Sequence, residues 1–198
     1  DIHKIVDVFT KQSDTERYSR MVPMKEIADP KNDYSLNIPR YIDSSEPADI
    51  QDLHAHLHGG IPDRDLDALD GYWQAFPNLR STLFSANRDC YSDLTIDVSN
   101  IQQTVLDSSK FKKFAARVDT EVEEWFSAHR SRLAKIDENT KPVELIREIS
   151  EDLLGRFKPL PLLDEYDVYE QLMTYWHSVM HDDVFLIMND GWLGAAKP

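Results

Sequence analysis

Apolar residues recur at helical spacing over most of this chain. Across residues 109–136, Phe111, Phe114, Val118, Val122, Trp125, His129, Leu133 and Ile136 keep steps of three and four, which predicts one long amphipathic helix. Thr140 and Pro142 open a second helix carrying Val143, Ile146, Ile149, Leu153 and Phe157, stopped at Pro159 and Pro161. Asp164 caps a third, with Tyr169, Leu172, Met173, Trp176 and Met180. Val184 through Met188 is apolar all round and is expected to be buried, before a turn at Asn189-Asp190-Gly191. At the other end, Ile2, Ile5, Val6 and Phe9 predict a first helix.

Between these lie shorter elements. Ser44 or Ser45 is expected to cap a helix with Pro47 in its first turn and Ile50, Leu53 and Leu57 on one side, ending at Gly59-Gly60. Pro62 restarts a short helix with Leu66 and Leu69, whose acids Asp63, Asp65 and Asp67 complement its N-terminal dipole. Residues 72–77 form an aromatic corner, residues 78–84 a further short helix, and residues 91–98 an extended stretch. One region departs from helical spacing. Residues 18–24, and then residues 34–42 with Tyr34, Leu36 and Ile38 alternating against Ser35 and Asn37, read as two strands of a hairpin around turn chemistry at residues 29–33. Two strands alone are marginal in water, so the hairpin is expected to be the remnant of a larger sheet. The fold class is therefore mainly α: a helix and β-hairpin remnant of an α/β domain in residues 1–43, then an α-helical C-terminal domain in residues 44–198. The sequence carries no repeat and no low-complexity tract.

Composition narrows the function classes. The 198 residues suffice for one sizeable core, or one domain plus a fragment. Cys90 is the single cysteine, which excludes an internal disulfide and fits a reducing cytosol. No apolar run approaches a membrane span and no signal peptide is visible. The chain starts at Asp1 without Met, so it is expected to be a piece of something longer. Net charge is -14, against the basic footprint of a free-standing nucleic-acid binder. That charge is uneven. Residues 43–70 hold one Arg against eight acids, residues 108–135 seven Lys or Arg against four acids, and residues 137–170 four bases against ten acids.

The chemistry-bearing residues are few. Lys110, Lys112, Lys113 and Arg117 open the long helix, and Arg130, Arg132 and Lys135 close it. The ordinary reading is a solvated helix face; the functional one is contact with the phosphates of a nucleic acid. His54, His56 and His58 suggest metal, but only His54 and His58 share a helical face, and zinc needs further ligands that the sequence does not supply nearby. His177 and His181 are four apart without the glutamate of a zinc hydrolase. His129 lies on the apolar stripe and reads as a hydrogen-bonded core or interface residue.

The wording of the predicted hairpin, Tyr18-Ser19-Arg20 followed by Asn32-Asp33-Tyr34-Ser35-Leu36-Asn37-Ile38-Pro39-Arg40-Tyr41, resembles the end of the catalytic domain in modification (M) subunits of type I restriction–modification systems. The likeness continues at Tyr175-Trp176 and at Asp182 through Trp192. It implies the C-terminal part of an S-adenosylmethionine-dependent, N6-adenine DNA methyltransferase of the bacterial or archaeal cytoplasm. The partners it implies are a specificity subunit, a second modification subunit, a restriction subunit and double-stranded DNA. The family's Gly-rich cofactor turn has no counterpart among six glycines, and neither Asn37-Ile38-Pro39 nor Asn87-Arg88-Asp89 matches its Asn-Pro-Pro-aromatic loop. No catalytic, cofactor or metal residue is therefore assigned, and the chain alone is expected to lack S-adenosylmethionine binding. The fragment's expected role is subunit assembly and DNA clamping. A stand-alone helical protein–protein interaction module is the alternative, and a small metallohydrolase built on the histidines a third.

Overall fold

A computed structural model describes residues 2–45 and 50–196 and divides the chain into two compact units, Asp1–Gln51 and Asp52–Pro198. The protein is mainly α, as its periodicity predicts.

In the first unit, α1 (Ile2–Lys11) carries the expected stripe, and α2 (Met24–Ile27) is one short turn. A 3-10 turn follows at Ile38–Arg40. The predicted hairpin does not form. The strand pairing among the described residues of this unit is a single bridge, Thr15 to Ser19. Local chemistry explains the difference. Pro23, with φ −64° and ψ 144°, ends the first expected strand and launches α2 at Met24. Asp33 and Tyr34 take positive φ, 46° and 55°, which breaks extension where the second should begin. Pro39 sits in the first turn of the 3-10 helix. The turn chemistry at residues 29–33 is realised: the backbone N–H groups of Asn32 and Asp33 donate to the Asp29 carbonyl, 2.8 and 2.9 Å. Arg20 fastens α2 through a two-point pair to Glu26, 2.9 and 2.8 Å.

No described residue of this unit is buried. Ile2 and Phe9 of α1 are 80% and 82% exposed, and Met21, Met24, Tyr34, Leu36 and Ile38 are exposed as well. An amphipathic helix and an apolar loop that cover nothing lack the burial that normally offsets ordering of the chain.

The second unit begins with α3 (Leu53–His58), capped by Asp52, whose carboxylate accepts from the Ala55 N–H at 2.9 Å. Pro47 lies outside the described residues, but the helix starts later than expected: Ile50 is not part of it, and Asp52 rather than Ser44 or Ser45 caps it. Gly59, at φ 74°, ends α3 by donating to the Ala55 carbonyl. Next come β1 (Ile61–Pro62), α4 (Asp63–Asp67), α5 (Asp70–Ala75), α6 (Leu79–Leu83), β2 (Phe84–Arg88) and β3 (Tyr91–Leu94). The three strands form an antiparallel sheet in the order β1-β3-β2, with Ile61 opposite Ser92 and Phe84 opposite Leu94. Phe76, Leu79 and Leu83 bury a small core under this corner, joined by Trp73, Phe84, Phe111 and Phe114.

After a 3-10 turn at Val98–Asn100 come α7 (Ile101–Asp107) and α8 (Ser109–Leu133). Ser108 caps α8 by accepting from the Phe111 N–H. Its first turn packs on the small core, and Val118, Trp125 and Leu133 pack on the main one. The main core is built by α9 (Pro142–Phe157), α10 (Glu165–Tyr175), a π-helical turn at Trp176–Met180, and α11 (His181–Ala195). Leu145 and Ile149 are wholly inaccessible, with Leu153, Phe157, Leu172, Trp176, Val184 and Ile187 around them.

Three details differ from expectation. The long helix ends at Leu133, and Ile136 is buried beyond it. Within residues 184–188 only Val184 and Ile187 are buried, because a helix offers the core one face; Phe185 and Leu186 are exposed. Asn189-Asp190-Gly191 is not an open turn. Gly191, at φ 69° and ψ 168°, kinks α11, and the Trp192 indole N–H beyond it donates to the Ile136 carbonyl at 3.1 Å.

Candidate nucleic-acid interface

The structure sorts the basic residues of α8 into different settings. At 100° per residue, Lys110, Lys113 and Arg117 fall within one narrow arc over the first two turns. All three are exposed, and none makes a salt bridge among the described residues. Lys112 points elsewhere and its Nζ meets Asp107 at 3.0 Å. The Asp107 carboxyl is held below its ordinary pKa by the Gln103 amide and then by Lys112. Arg130 and Arg132 lie about 30 Å along the axis from Lys110 at 1.5 Å per residue; Arg130 is on the opposite face, and Arg132, nearer the arc's own side, pairs with Glu148 at 3.7 Å. One helical turn beyond Arg117 the arc becomes acidic. Glu121 and Glu124 there approach Arg156 at 3.8 and 3.5 Å. The six candidate phosphate contacts are therefore not one surface; three of them are.

The first turn of α8 holds no acid and includes Lys110 and Lys112. Basic side chains at a helix N-terminus oppose the macrodipole by about 0.3–1 kcal/mol each when exposed. Next to the arc lies an open cavity of about 750 Å³. Phe76, Leu79 and Ile96 line it on the apolar side, and Asn78, Asn100 and Lys110 on the polar side.

The histidines separate too. His129 is buried, with Nε2 2.9 Å from the Asp152 carboxylate and its ring 5.8 Å from that of Trp125, so it joins α8 to α9. Burial raises the Asp152 pKa, but hydrogen bonds from Arg156 and His129 outweigh it and hold this carboxyl below its ordinary value. His177 lies in the π-helical turn and His181 just after it, with ring centroids 6.3 Å apart, and His181 Nδ1 lies 3.0 Å from Asp182. His54 and His58 share a face of α3, centroids 4.6 Å apart. Among the described residues no three His, Cys, Asp or Glu side chains converge as metal ligands. Among the described residues no helix is long and apolar enough to cross a membrane.

Sequence reasoning missed the group that fixes α3. The Arg88 guanidinium donates to the carbonyls of Gly59 (2.5 Å) and His58 (3.4 Å) and lies over the Tyr91 ring at 3.8 Å. The Tyr91 hydroxyl donates to Asp52 at 3.2 Å, and Arg64 pairs with Asp52 at 3.0 Å. The sequence reading placed the cap at Ser44 or Ser45; Asp52, the residue just before the helix, caps it instead. The Ala55 N–H, then the Tyr91 hydroxyl and Arg64, hold the Asp52 carboxyl below its ordinary pKa. A depressed carboxyl stabilises the fold above its unfolded-state pKa, and that gain disappears as pH falls through the folded-state value. Asp52→Asn is thus expected to lower the melting temperature at pH 7, with the gap closing at strongly acidic pH. Thermal melts of both proteins across pH check this; a gap independent of pH contradicts it.

Comparison with known proteins gives a family match that falls within the first unit. A family model described as N-6 DNA Methylase matches residues 1–49. The chain is similar to the "Type I restriction enzyme MjaVII methylase subunit" of Methanocaldococcus jannaschii, 42% identical over 57 residues. That stretch is 29% of this chain and 10% of the relative, so the likeness spans a small part of each. No solved structure matches. Tyr175-Trp176 and Asp182 through Trp192 lie outside the family match.

Proposed function

We propose that this chain is the C-terminal part of the modification subunit of a type I restriction–modification enzyme. On this reading the whole protein methylates adenine N6 in DNA with S-adenosylmethionine, in the bacterial or archaeal cytoplasm. The observation that carries the reading is a coincidence of boundaries: the stretch that matches N-6 DNA methylases is the unit in which no described residue is buried. A surface of Ile2, Phe9, Met24, Leu36 and Ile38 left open to water fits a segment whose partner is the rest of a catalytic domain.

The chain itself does not fit the cofactor. A Gly-rich phosphate or adenosyl turn sits between a parallel strand and a helix, and the sheet here is three short antiparallel strands. No catalytic step is assigned to these residues. The helical unit serves assembly with the specificity subunit, a second modification subunit and the restriction subunit, and it clamps double-stranded DNA. Lys110, Lys113 and Arg117 are the phosphate contacts best supported; Lys112, Arg130 and Arg132 are secondary.

Hydrogen exchange tests the reading. In the isolated chain as a dilute monomer, amides of residues 2–42 are expected to exchange far faster than those of α8 and α9. In the longer protein, with the preceding catalytic residues in place, residues 2–42 should gain protection. Equal protection in the two samples would overturn the proposal.

A further inference from the structure

We propose that His54 and His58 form a two-point site for a late first-row divalent cation, Cu²⁺ in preference to Ni²⁺ or Zn²⁺. The inference is independent of the methyltransferase reading and concerns residues outside the family match.

The geometry comes from α3. Residues four apart stand one above the other on a helix, and the two rings are 4.6 Å apart, tilted by 48°. At that separation a ring nitrogen from each can reach one ion. Both side chains are exposed, so water can complete the coordination sphere. A six-residue helix does not persist alone in water. This one is held at both ends, by the Asp52 cap and by Arg88 on the carbonyls of His58 and Gly59. The pair is therefore presented in helical register before any ion arrives, which lowers the ordering cost of binding.

Charge and ligand chemistry favour a cation of this class. Residues 52–70, in the same unit as α3, hold five acids and one Arg. Arg88 opposes a cation, but its guanidinium is directed at backbone carbonyls and the Tyr91 ring. Imidazole nitrogens select late transition metals, and affinity at such a site rises to a maximum at copper. Two other pairings fail the same geometry. His56 is two residues from each partner, on the opposite side of the helix. His177 and His181 are four apart but 6.3 Å between centroids, the first of them in a π-helical turn, with His181 already against Asp182.

The test is calorimetric titration of the full chain with Cu²⁺, with the N-terminus acetylated so that the terminal amine offers copper no nitrogen. Electron paramagnetic resonance on the same samples counts the nitrogens bound. His54→Ala and His58→Ala should each weaken binding at least about tenfold, the scale on which metal sites respond to lost partners. The resonance signature should drop from two imidazole nitrogens to one. His56→Ala and His177→Ala should leave the affinity within about threefold of wild type, since neither supplies a ligand. The proposal is overturned if His56→Ala or His177→Ala costs as much as His54→Ala. It is also overturned if the His54→Ala, His58→Ala double variant binds as wild type does.

Discussion

Phe157→Ala is expected to remove about 3–5 kcal/mol from the stability of the helical unit, the usual cost of truncating a buried phenylalanine. Phe157 is 2% exposed and packs in the core that Leu145 and Ile149 close completely. Those neighbours lie on α9 itself, with Leu172, Trp176 and Val184 from the following helices. A regular helix cannot shift one side to fill the void without moving the other, so the cavity term should be large. Folded domains have only about 5–15 kcal/mol in total, and a loss of this size should move the denaturation midpoint sharply. Val143→Ala provides the contrast. Val143 belongs to the same predicted stripe but is 78% exposed, so its truncation should stay within about 0.5 kcal/mol. Urea melts followed by far-ultraviolet circular dichroism compare the two. Equal midpoints would mean that α9 does not nucleate the core in this way.

That pair also marks how far periodicity carries a reading of the sequence. The stripes of α8 and α9 were legible because a core selects apolar residues at steps of three and four. Which of them would be covered was not: Val122 and Val143 keep the spacing and stay exposed. Coverage depends on neighbours remote in sequence, such as Ile149 for Trp125, 24 residues and about 80 Å away along the extended chain at about 3.3–3.6 Å per residue. The first unit failed for the opposite reason. Alternation in residues 34–42 is a strand signal only where a partner strand exists, and Asp33, Tyr34 and Pro39 instead fold the segment back on itself. Tyr41 donates its hydroxyl to the Ser35 carbonyl within that fold. The β2 strand was missed because Phe84 and Ala86 alternate with Ser85 and Asn87 over only four residues and none of them is buried, and Arg88 acts through carbonyls thirty residues earlier in sequence. The basic residues of α8 were legible as a set. Their division into an aligned trio and paired outliers needed Asp107 and Glu148 in place.

That division fixes what charge reversal should do to DNA binding. On the proposed function, Lys110→Glu, Lys113→Glu and Arg117→Glu together, made in the complete modification enzyme, are expected to weaken affinity for every DNA sequence alike, because phosphates carry no base identity. Each phosphate contact contributes about 0.9 to the slope of log affinity against log salt, so losing three should flatten it by about 3 units. Lys112→Glu alone should change the slope far less, since Lys112 is directed to Asp107 rather than along the arc. Folding should tolerate the triple change. All three side chains are exposed, and acids in the first turn of α8 favour its dipole, unlike the Lys now at 110. This separates loss of DNA contact from loss of structure, which circular dichroism of the variant verifies. The isolated chain should bind DNA poorly with or without the change, because its net charge of -14 opposes a polyanion. The measurement is a salt titration of DNA affinity for wild-type, triple-variant and Lys112→Glu complexes. If the triple variant keeps the wild-type slope and affinity, the arc is solvated surface and the helical unit meets DNA elsewhere or not at all. If Lys112→Glu matches the triple variant, the whole basic end of the helix acts as a diffuse field rather than as three placed contacts.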